Sequence, residues 1–362
     1  MYRSRNLRTR VLAAAILSIS VVASVGVGGS AYAGENPGAQ LPAHLFTPYF
    51  QAYTDASPAV QSKASGAKYL TMAFLQTAQT GSCEILWNGD PTKPVARSTF
   101  GADIAKIRAR GGDVIPSFGG FSADDTATEI ADSCPSVDKI AAAYEKVITT
   151  YDVTRLDMDV EDNSLTNTAG IDRRNKAIHQ VEQWARRTGR TVQFVYTIPT
   201  GPDGLEQTGI DVLANAVANG ARIDIVNIMT FDYYDDQAHE MAADTKTAAA
   251  SLVATLHSLY PRRSADALWR MVGVTEMIGI DDYGSGGETG PLEIFTVADA
   301  QNITHWATGK NIAELSFWAL GRDNGGCPGV PGSDDCSGVA QTAWRFTHIM
   351  AGFAGGNDRT QS

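Results

Sequence analysis

The feature that most constrains the fold of this chain is a regular alternation between short apolar runs and amphipathic helical patterns. The strand-like runs comprise residues 45–53, 69–76, 113–118, 154–161, 192–198, 223–231, 271–278 and 314–320. Most are continuously apolar, as expected for parallel strands that are covered on both faces. The helical stripes between them include residues 140–151, 178–184, 212–217 and 252–259. Gly189, Gly220 and Pro261 follow the last three stripes as ordinary helix stop signals.

Strands that alternate with helices form a parallel sheet with right-handed crossovers. Eight such units fit a closed (β/α)8 barrel, whose typical size is about 250 residues. The alternative is a doubly wound open sheet, but no G-x-G-x-x-G motif follows the first run. The sequence therefore predicts an α/β fold, a single-domain (β/α)8 TIM barrel over residues 44–354, with residues 355–362 as a tail.

The first 33 residues have the pattern of a secretion signal. Four arginines precede an apolar run from residue 11 to about residue 27, and Ala31-Tyr32-Ala33 follows as a cleavage site. The alternative, a membrane anchor, fits less well because Ser and Gly dilute the run and no stop-transfer charges follow. We predict a signal at residues 1–33, a leader at residues 34–43, a secreted extracellular protein, and no membrane association of the mature chain.

The charge of the chain narrows its possible partners. The chain has 29 Lys and Arg against 40 Asp and Glu, a net charge of -11, and loss of the four signal arginines leaves 25 against 40, or -15. Binding to DNA or RNA needs a basic face, so this balance argues against nucleic acid as a partner. The hydrophobic fraction of 43% excludes intrinsic disorder. We expect a soluble monomer.

The four cysteines, Cys83, Cys134, Cys327 and Cys336, are expected to form two disulfides, because an even number in an exported chain favours pairing over metal ligation. Of the three possible pairings, the favoured one joins Cys327 to Cys336 across a short loop rich in Pro, Gly and Asp. Cys83 then pairs with Cys134. No C-x-x-C spacing occurs and the six histidines are scattered. We therefore predict no metal site and no cofactor.

The fourth run carries three acids at alternating positions, Asp157, Asp159 and Glu161. Side chains alternate between the faces of a strand, so these acids point one way and the apolar residues between them point towards the covering helices. An inward row of carboxyl groups is costly for structure alone. A calcium-binding loop is the alternative, but the EF-hand pattern is broken. Barrel active sites lie at the C-terminal ends of strands, so the row predicts a catalytic site.

The proximity of these acids predicts their protonation. Asp157 and Asp159 cannot both ionise cheaply, so we expect them to share a proton. Glu161, at the end of the strand, is expected to have a raised pKa. Such a group suits a general acid that protonates a leaving oxygen near neutral pH.

Residues 156–161 resemble the D-x-D-x-E signature of glycoside hydrolase family 18, which contains the chitinases. Three other segments are similar to motifs of this family and occur in the same order. They are Ser117-Phe118-Gly119-Gly120, similar to S-x-G-G; Met229-Thr230-Phe231-Asp232, similar to M-x-Y-D; and the tryptophan in Ser316-Phe317-Trp318-Ala319. Motifs on four different runs together make the resemblance specific, and it covers nearly all of the mature chain.

The resemblance implies roles for the acids. Glu161 would protonate the glycosidic oxygen, and the N-acetyl carbonyl of the substrate would attack C1 in place of a protein nucleophile. Asp159 would orient the acetamido group and turn between Asp157 and Glu161. Asp157 would hold the shared proton, with Ser117 hydrogen-bonded behind it.

The resemblance also implies substrate-binding residues. Met229 and Asp232 would line the −1 sugar site, and Trp318 would offer a flat apolar face to the sugar, as would Tyr49, although core packing is the alternative for both rings. The family often has Tyr where this chain has Phe231, and Tyr233 or Tyr234 would have to supply the missing hydroxyl.

Residues 278–314 leave room for one loop and one helix, not for the additional α+β insertion domain of some family members. By resemblance, the cleft would then be open and suited to endo-type cleavage. The sequence predicts a secreted endo-acting chitinase whose partner is chitin or N-acetylglucosamine oligosaccharides. The alternatives are an endo-β-N-acetylglucosaminidase acting on N-glycans, and a non-catalytic chitin-binding lectin. Such lectins typically lose the acidic residue that is present here as Glu161.

Overall fold

The computed structural model describes residues 40–355. The predicted signal at residues 1–33, most of the leader at 34–43 and nearly all of the tail at 355–362 lie outside the described residues. The strands are β1 (Leu45–Phe46), β2 (Tyr49–Gln51), β3 (Tyr69–Thr77), β4 (Ile85–Trp87), β5 (Asp113–Gly119), β6 (Arg155–Asp159), β7 (Gln193–Pro199), β8 (Ile225–Met229), β9 (Val272–Met277), β10 (Gly279–Ile280), β11 (Ile294–Phe295) and β12 (Glu314–Trp318).

Eight parallel strand positions close into a barrel. The order of hydrogen-bonded strands is β1-β12-β9-β8-β7-β6-β5-β3-β2. β1 and β2 are two pieces of the first predicted run, so β1 closes the ring against β12 and β2 closes it against β3. The run is divided at Thr47 and Pro48, and Pro48 has no N–H to donate to a sheet. The predicted (β/α)8 TIM barrel is confirmed.

The helices are α1 (Pro58–Ser65), α2 (Arg97–Arg108), α3 (Phe121–Asp125), α4 (Ile130–Ser133), α5 (Val137–Tyr151), α6 (Thr168–Thr188), α7 (Gln207–Ala218), α8 (Met241–Leu259), α9 (Ala265–Trp269), α10 (Val297–Lys310), α11 (Arg345–Met350) and α12 (Gly352–Gly355), with 3-10 turns at Asp162–Leu165 and Leu320–Arg322. Local signals set their ends. Gly189 ends α6 with φ 69°, and Thr296 and Asp299 form a capping box on α10.

The main apolar core lies between the outer face of the barrel and the helices. The apolar side chains of β6, at Leu156 and Met158, are buried in this cluster together with the following Val160. The barrel interior is largely polar at its lower end, where Arg155 and Glu314 form a buried ion pair at 2.8 Å. The acids that alternate with these apolar side chains therefore face the interior, as predicted.

The structure differs from the sequence prediction in several boundaries. β6 ends at Asp159 rather than Glu161, and β8 ends at Met229 rather than Phe231. The sequence did not predict β4, which pairs antiparallel with β3, nor the β10–β11 hairpin. These short strands carry no periodic apolar signal because they lie outside the barrel. Between β9 and β12 the chain forms this hairpin and α10, without an α+β insertion domain.

Both disulfides follow the pairing favoured from the sequence. Cys83 is bonded to Cys134, with Cα atoms 4.7 Å apart, and Cys327 is bonded to Cys336, with Cα atoms 5.9 Å apart. Within residues 40–355, no helix has the length and apolar content that a bilayer-spanning segment would need.

Candidate active site

The candidate active site lies at the C-terminal ends of the barrel strands. We call Asp157, Asp159 and Glu161 the acid row. Asp157 and Asp159 are buried in β6, whereas Glu161 lies two residues beyond the strand and is partly exposed. The backbone at Glu161 remains extended, with φ −129° and ψ 178°. The alternation of β6 therefore continues past its end and directs all three carboxyl groups to the same side.

Hydroxyl groups from the two neighbouring strands, β5 and β7, and from β2 across the barrel hold the carboxylate of Asp157. Ser117 Oγ and Tyr49 Oη donate to Oδ2 at 2.6 and 3.1 Å, and Thr197 Oγ1 donates to Oδ1 at 2.6 Å. Burial raises the pKa of Asp157 to about 6, and these hydrogen bonds limit the rise because they favour the charged form. Ser117 thus makes the contact that the family resemblance implies.

Asp159 and Glu161 share a hydrogen bond between their carboxyl groups. Burial, followed by the negative charges of Glu161 and Asp157, raises the pKa of Asp159 well above its usual range. Burial likewise raises the pKa of Glu161 to about 7. The expectation was that Asp157 and Asp159 share a proton. This expectation stays a prediction: the charge of Asp157 acts on Asp159, and hydroxyl groups donate to both oxygens of Asp157.

Phe121, which sequence reasoning missed, lies beside the general-acid candidate. Its backbone N–H lowers the pKa of Glu161 and so opposes part of the rise that burial causes. Its side chain is 63% exposed, a high value for an aromatic ring. The available signal was its position directly after Gly119-Gly120, where β5 gives way to α3. An exposed ring next to the acid can contact a ligand that reaches Glu161.

Three aromatic rings, one each from β2, β3 and β12, lie close together. The rings of Phe74 and Trp318 stack at a centroid distance of 5.7 Å and an angle of 11°. Trp318 is partly exposed, so one of its faces can meet a ligand. Tyr49 lies 5.8 Å from Trp318 but is only 2% exposed. Tyr49 is therefore a hydrogen-bond donor to Asp157 and not the exposed sugar platform that the resemblance suggested.

Asp232 follows β8 in a tight loop, with φ 53°. Its Oδ1 accepts a hydrogen bond from the backbone N–H of Asp282 at 2.9 Å. Burial, and then the charge of Asp282, raises the pKa of Asp232 well above its usual range. The negative charge of Glu161 also contributes to this rise in the pKa of Asp232, so Asp232 lies within electrostatic range of the acid row. Met229, at the end of β8, is 6% exposed.

Tyr233 is not in a position to replace the hydroxyl missing at Phe231. Its ring packs on His239, with centroids 4.7 Å apart. Its buried hydroxyl has no hydrogen-bond partner within residues 40–355. Burial, and then the charge of Glu276, raises the pKa of Tyr233, and Glu276 contacts Thr245 on α8, outside the barrel interior. Tyr234 is 53% exposed and lies beside Tyr283.

Two further acids, which sequence reasoning also missed, hold the loop after β8. We call Asp281 and Glu293 the acid clamp. The carboxylate of Glu293 accepts the N–H of Tyr233 at 3.0 Å and that of Tyr234 at 3.3 Å, and Asp281 Oδ2 accepts the N–H of Asp232 at 3.0 Å. Burial, and then the charge of Asp232, raises the pKa of Asp281 to about 9. The β10–β11 hairpin carries the clamp.

The site is built of carboxyl, hydroxyl and aromatic groups. Among residues 40–355, no group of three or more His, Cys, Asp or Glu side chains has the arrangement of a metal site. The geometry instead supplies a partly exposed acid with a pKa near neutrality, a second carboxyl beside it, and flat apolar surfaces nearby. This combination can bind a ring-shaped ligand and transfer a proton to it.

Comparison with known proteins agrees with this geometry. The profile of "Glycosyl hydrolases family 18" matches residues 46–288. A probable bifunctional chitinase/lysozyme of Escherichia coli K12 is 28% identical over 327 residues, which cover 86% of this chain and 35% of that protein. Endochitinase 11 of Metarhizium anisopliae is 28% identical over 295 residues, 78% of this chain and 53% of that protein. The chain thus spans about a third to a half of these relatives.

A solved structure of active domain 2 of a chitinase from Pyrococcus furiosus is similar along the whole barrel. It is 29% identical, with a TM-score of 0.75, and the match covers 90% of this chain and 99% of that one. A further structure of catalytic-site mutants of this domain, 28% identical with a TM-score of 0.75, is complexed with chito-oligosaccharides. The acid row at the mouth of a closed barrel, together with the match over residues 46–288, shows that this chain belongs to the glycosyl hydrolases of family 18.

Proposed function

We propose that the chain is a secreted chitinase that hydrolyses internal β-1,4 links between N-acetylglucosamine units. The observation that carries this proposal is the acid row. Glu161 lies at the barrel mouth beside Asp159, and burial raises the pKa of Glu161 to about 7. The relatives named as chitinases, and the related domain complexed with chito-oligosaccharides, support the substrate class.

In the first step of the proposed reaction, protonated Glu161 donates its proton to the glycosidic oxygen while the bond from this oxygen to C1 breaks. The acetamido carbonyl oxygen of the −1 sugar forms a new bond to C1 and gives an oxazolinium ion. Asp159 Oδ1 is buried without a hydrogen-bond partner in the described part of the chain. Once Asp159 turns towards the bound sugar, this oxygen can accept the acetamido N–H and stabilise the positive charge of the ring.

In the second step, Glu161 is ionised and accepts a proton from a water molecule. The oxygen of this water attacks C1, the oxazolinium ring opens, and the acetamido group is restored. Two inversions at C1 retain the anomeric configuration. Asp157, held by Ser117 and Thr197, is the carboxyl to which Asp159 can turn when it leaves Glu161.

The proposed sugar contacts follow from exposure. Trp318, supported by its stacked neighbour Phe74, provides an apolar floor for the −1 sugar. Met229 and Asp232 line the side of this site at the end of β8, and Phe121 lies on the side of the leaving group because it contacts Glu161. The backbone of Tyr233 fixes this wall, whereas its ring faces away.

Endo-type cleavage is part of the proposal because the region between β9 and β12 adds only a hairpin and one helix to the barrel. A cleft without an additional domain wall is open at both ends and can accept the middle of a polymer. Secretion is supported by the signal pattern in the sequence and by two disulfides, which persist in oxidising compartments. We propose that the enzyme acts as a monomer.

Product analysis tests the proposal. The full chain is incubated with N-acetylglucosamine hexamer and, separately, with a high-mannose glycopeptide, and early products are separated by length and anomer. We expect dimers to tetramers with the β-anomer in excess, and an intact glycopeptide. Release of the glycan would instead indicate an endo-β-N-acetylglucosaminidase. Binding of the hexamer without cleavage would indicate a lectin, and an excess of the α-anomer would contradict retention.

A further inference from the structure

We propose that Asp124 is a positioning residue for the general acid: its buried carboxylate holds the main chain of Glu161 so that the acid reaches the glycosidic oxygen. This inference rests on the proposed function. Asp124 lies in the short helix α3 and is 0% exposed. Asp124 belongs to none of the recognised motifs, and the short segment around it has no periodic apolar pattern. The sequence alone therefore did not indicate it.

Two hydrogen bonds join the start of α3 to the end of the acid row. Asp124 Oδ2 accepts the backbone N–H of Glu161 at 2.5 Å. The backbone N–H of Gly120, just before α3, donates to the carbonyl oxygen of Asp159 at 3.4 Å. The main chain at the end of the acid row is thus held against α3.

The glycine before α3 makes this close approach possible. Gly119 has φ 96°, a conformation that side-chain-bearing residues rarely adopt. A Cβ atom there would collide with the carbonyl oxygen of Asp159 and would lie 3.4 Å from Asp124 Oδ1. The absence of this atom lets the main chain before α3 lie against the carbonyl of Asp159, and this places Asp124 beside the end of β6.

A purely structural role does not account for an acid at this position. Asp124 Oδ1 is buried and has no hydrogen-bond partner among residues 40–355. The charged groups that face Asp124 are Glu129 and Glu161, which repel it, and Arg174, which attracts it while paired to Glu129 at 3.0 Å. A carboxyl group that is buried, half-partnered and near other acids costs stability. An apolar side chain would stabilise α3 better, unless the carboxylate is needed by Glu161.

The consequence is specific to the chemical step. Glu161 lies outside the strand ladder of β6. Its carbonyl oxygen accepts the N–H of Ser164 at 2.9 Å, and its N–H is held by Asp124. A displacement of about 1 Å in a catalytic group lowers a rate by about 10²-fold. Loss of the Asp124 acceptor should therefore lower kcat and leave KM nearly unchanged, since Trp318 and the loop after β8 belong to other strands of the barrel.

Three variants of the full chain test the proposal. Asp124→Leu removes the acceptor and keeps the size, Asp124→Asn keeps a carbonyl acceptor, and Asp125→Ala changes the exposed neighbour in the same helix. On N-acetylglucosamine oligosaccharides, we expect Asp124→Leu to lower kcat by about 30- to 100-fold with KM changed by less than about threefold. Asp124→Asn should restore most of the rate, and Asp125→Ala should match the wild type.

A second measurement does not depend on activity. Amide hydrogen exchange at Glu161, followed by NMR, should be protected in the wild type and in Asp124→Asn, and should be at least about tenfold faster in Asp124→Leu. If Asp124→Leu does not fold, Asp124→Ser, whose hydroxyl is too short to reach Glu161, takes its place.

The outcomes separate this inference from the proposed function. If the wild type cleaves no oligosaccharide, the chitinase proposal is wrong. The positioning contact still stands if the Glu161 amide is protected in the wild type and in Asp124→Asn but not in Asp124→Leu. Wild-type kcat in Asp124→Leu, an equal loss in Asp124→Asn, or an unchanged exchange rate at Glu161 would overturn the inference.

Discussion

The acid row and the acid clamp are both groups of carboxyls that are mostly buried, yet their oxygens have different partners. In the row, hydroxyl side chains bind Asp157, while Asp159 and Glu161 bind each other at the barrel mouth. In the clamp, backbone N–H groups of the loop after β8 occupy Asp281 and Glu293. Burial alone therefore does not distinguish a catalytic carboxyl from a structural one.

What distinguishes the two groups is which atoms remain available to a ligand. Glu161 is partly exposed and Asp159 Oδ1 lacks a partner in the described structure, so the row can exchange a proton with a bound molecule. The clamp uses its oxygens to fix the loop that carries Asp232. The row should then govern kcat, and the clamp should govern binding. The following predictions test this division.

The largest effect is expected for Glu161→Gln. The amide cannot protonate the leaving oxygen, so kcat should fall by about 10³- to 10⁴-fold, while N-acetylglucosamine oligosaccharides still bind. Steady-state hydrolysis and calorimetric titration measure the two properties, and circular dichroism checks the fold. Full activity in this variant would contradict the assignment of the acid.

Asp159→Asn should have the next largest effect. It preserves shape but removes the charge that would stabilise the oxazolinium ion, so kcat at neutral pH should fall by more than about tenfold. The control is Asp211→Asn, an exposed acid in α7 that lies outside the row. Equal losses in both variants would mean that the loss of any acid, and not the position of Asp159, lowers the rate.

The dependence of kcat/KM on pH should reflect the ionisation of Glu161 in the acid row. Glu161 acts in its protonated form and its pKa is raised to about 7, so kcat/KM should decline as the pH rises through this value. The charge of Asp282 contributes to this rise. Asp282→Asn should therefore move the alkaline limb to lower pH, whereas Asp55→Asn, an exposed acid elsewhere, should leave it in place. A shift in the opposite direction would contradict the electrostatic reading of the row.

Glu293→Gln should give the smallest effect and should act on binding. The amide retains only one acceptor for the N–H groups of Tyr233 and Tyr234, so the loop with Asp232 loosens and KM should rise by about three- to tenfold. The alkaline limb should stay unchanged. Glu288→Gln, at the tip of the same hairpin, is the control, since its carboxylate accepts the N–H groups of Gly284 and Gly286 within the hairpin and holds no N–H of the loop after β8 among the described residues. A fall in kcat without a change in KM would mean that the acid clamp, like the acid row, acts on the chemical step and not on binding.

The acid row was predictable because period-2 alternation in a strand depends on neighbouring residues only. Asp157, Asp159 and Glu161 are two residues apart, and the apolar residues between them indicate which face is covered. The family signature added their roles. The hydrogen-bond partners of Asp157 were not predictable in the same way. They include Thr197 and Tyr49 as well as Ser117, and three other strands bring these hydroxyl groups to Asp157.

Asp124, Asp281 and Glu293 were missed for a related reason. They lie in short or irregular segments without a periodic pattern, and their functional contacts reach 37, 49 and 60 residues along the chain. Tyr233 shows the reverse case. Its neighbourhood in sequence suggested a hydroxyl for the sugar site, but packing against His239 turned the ring elsewhere.

The order of apolar runs and helices determined the barrel, and the spacing of three acids on one run determined where its chemistry would lie. Both are local patterns that the chain carries wherever it folds. Only the tertiary structure decided which carboxyl bonds to which, which aromatic ring stays exposed, and which acids hold a loop instead of serving a ligand. Hydrogen bonds and burial depend on groups that closure of the barrel brings together from distant strands, and pKa values follow from both.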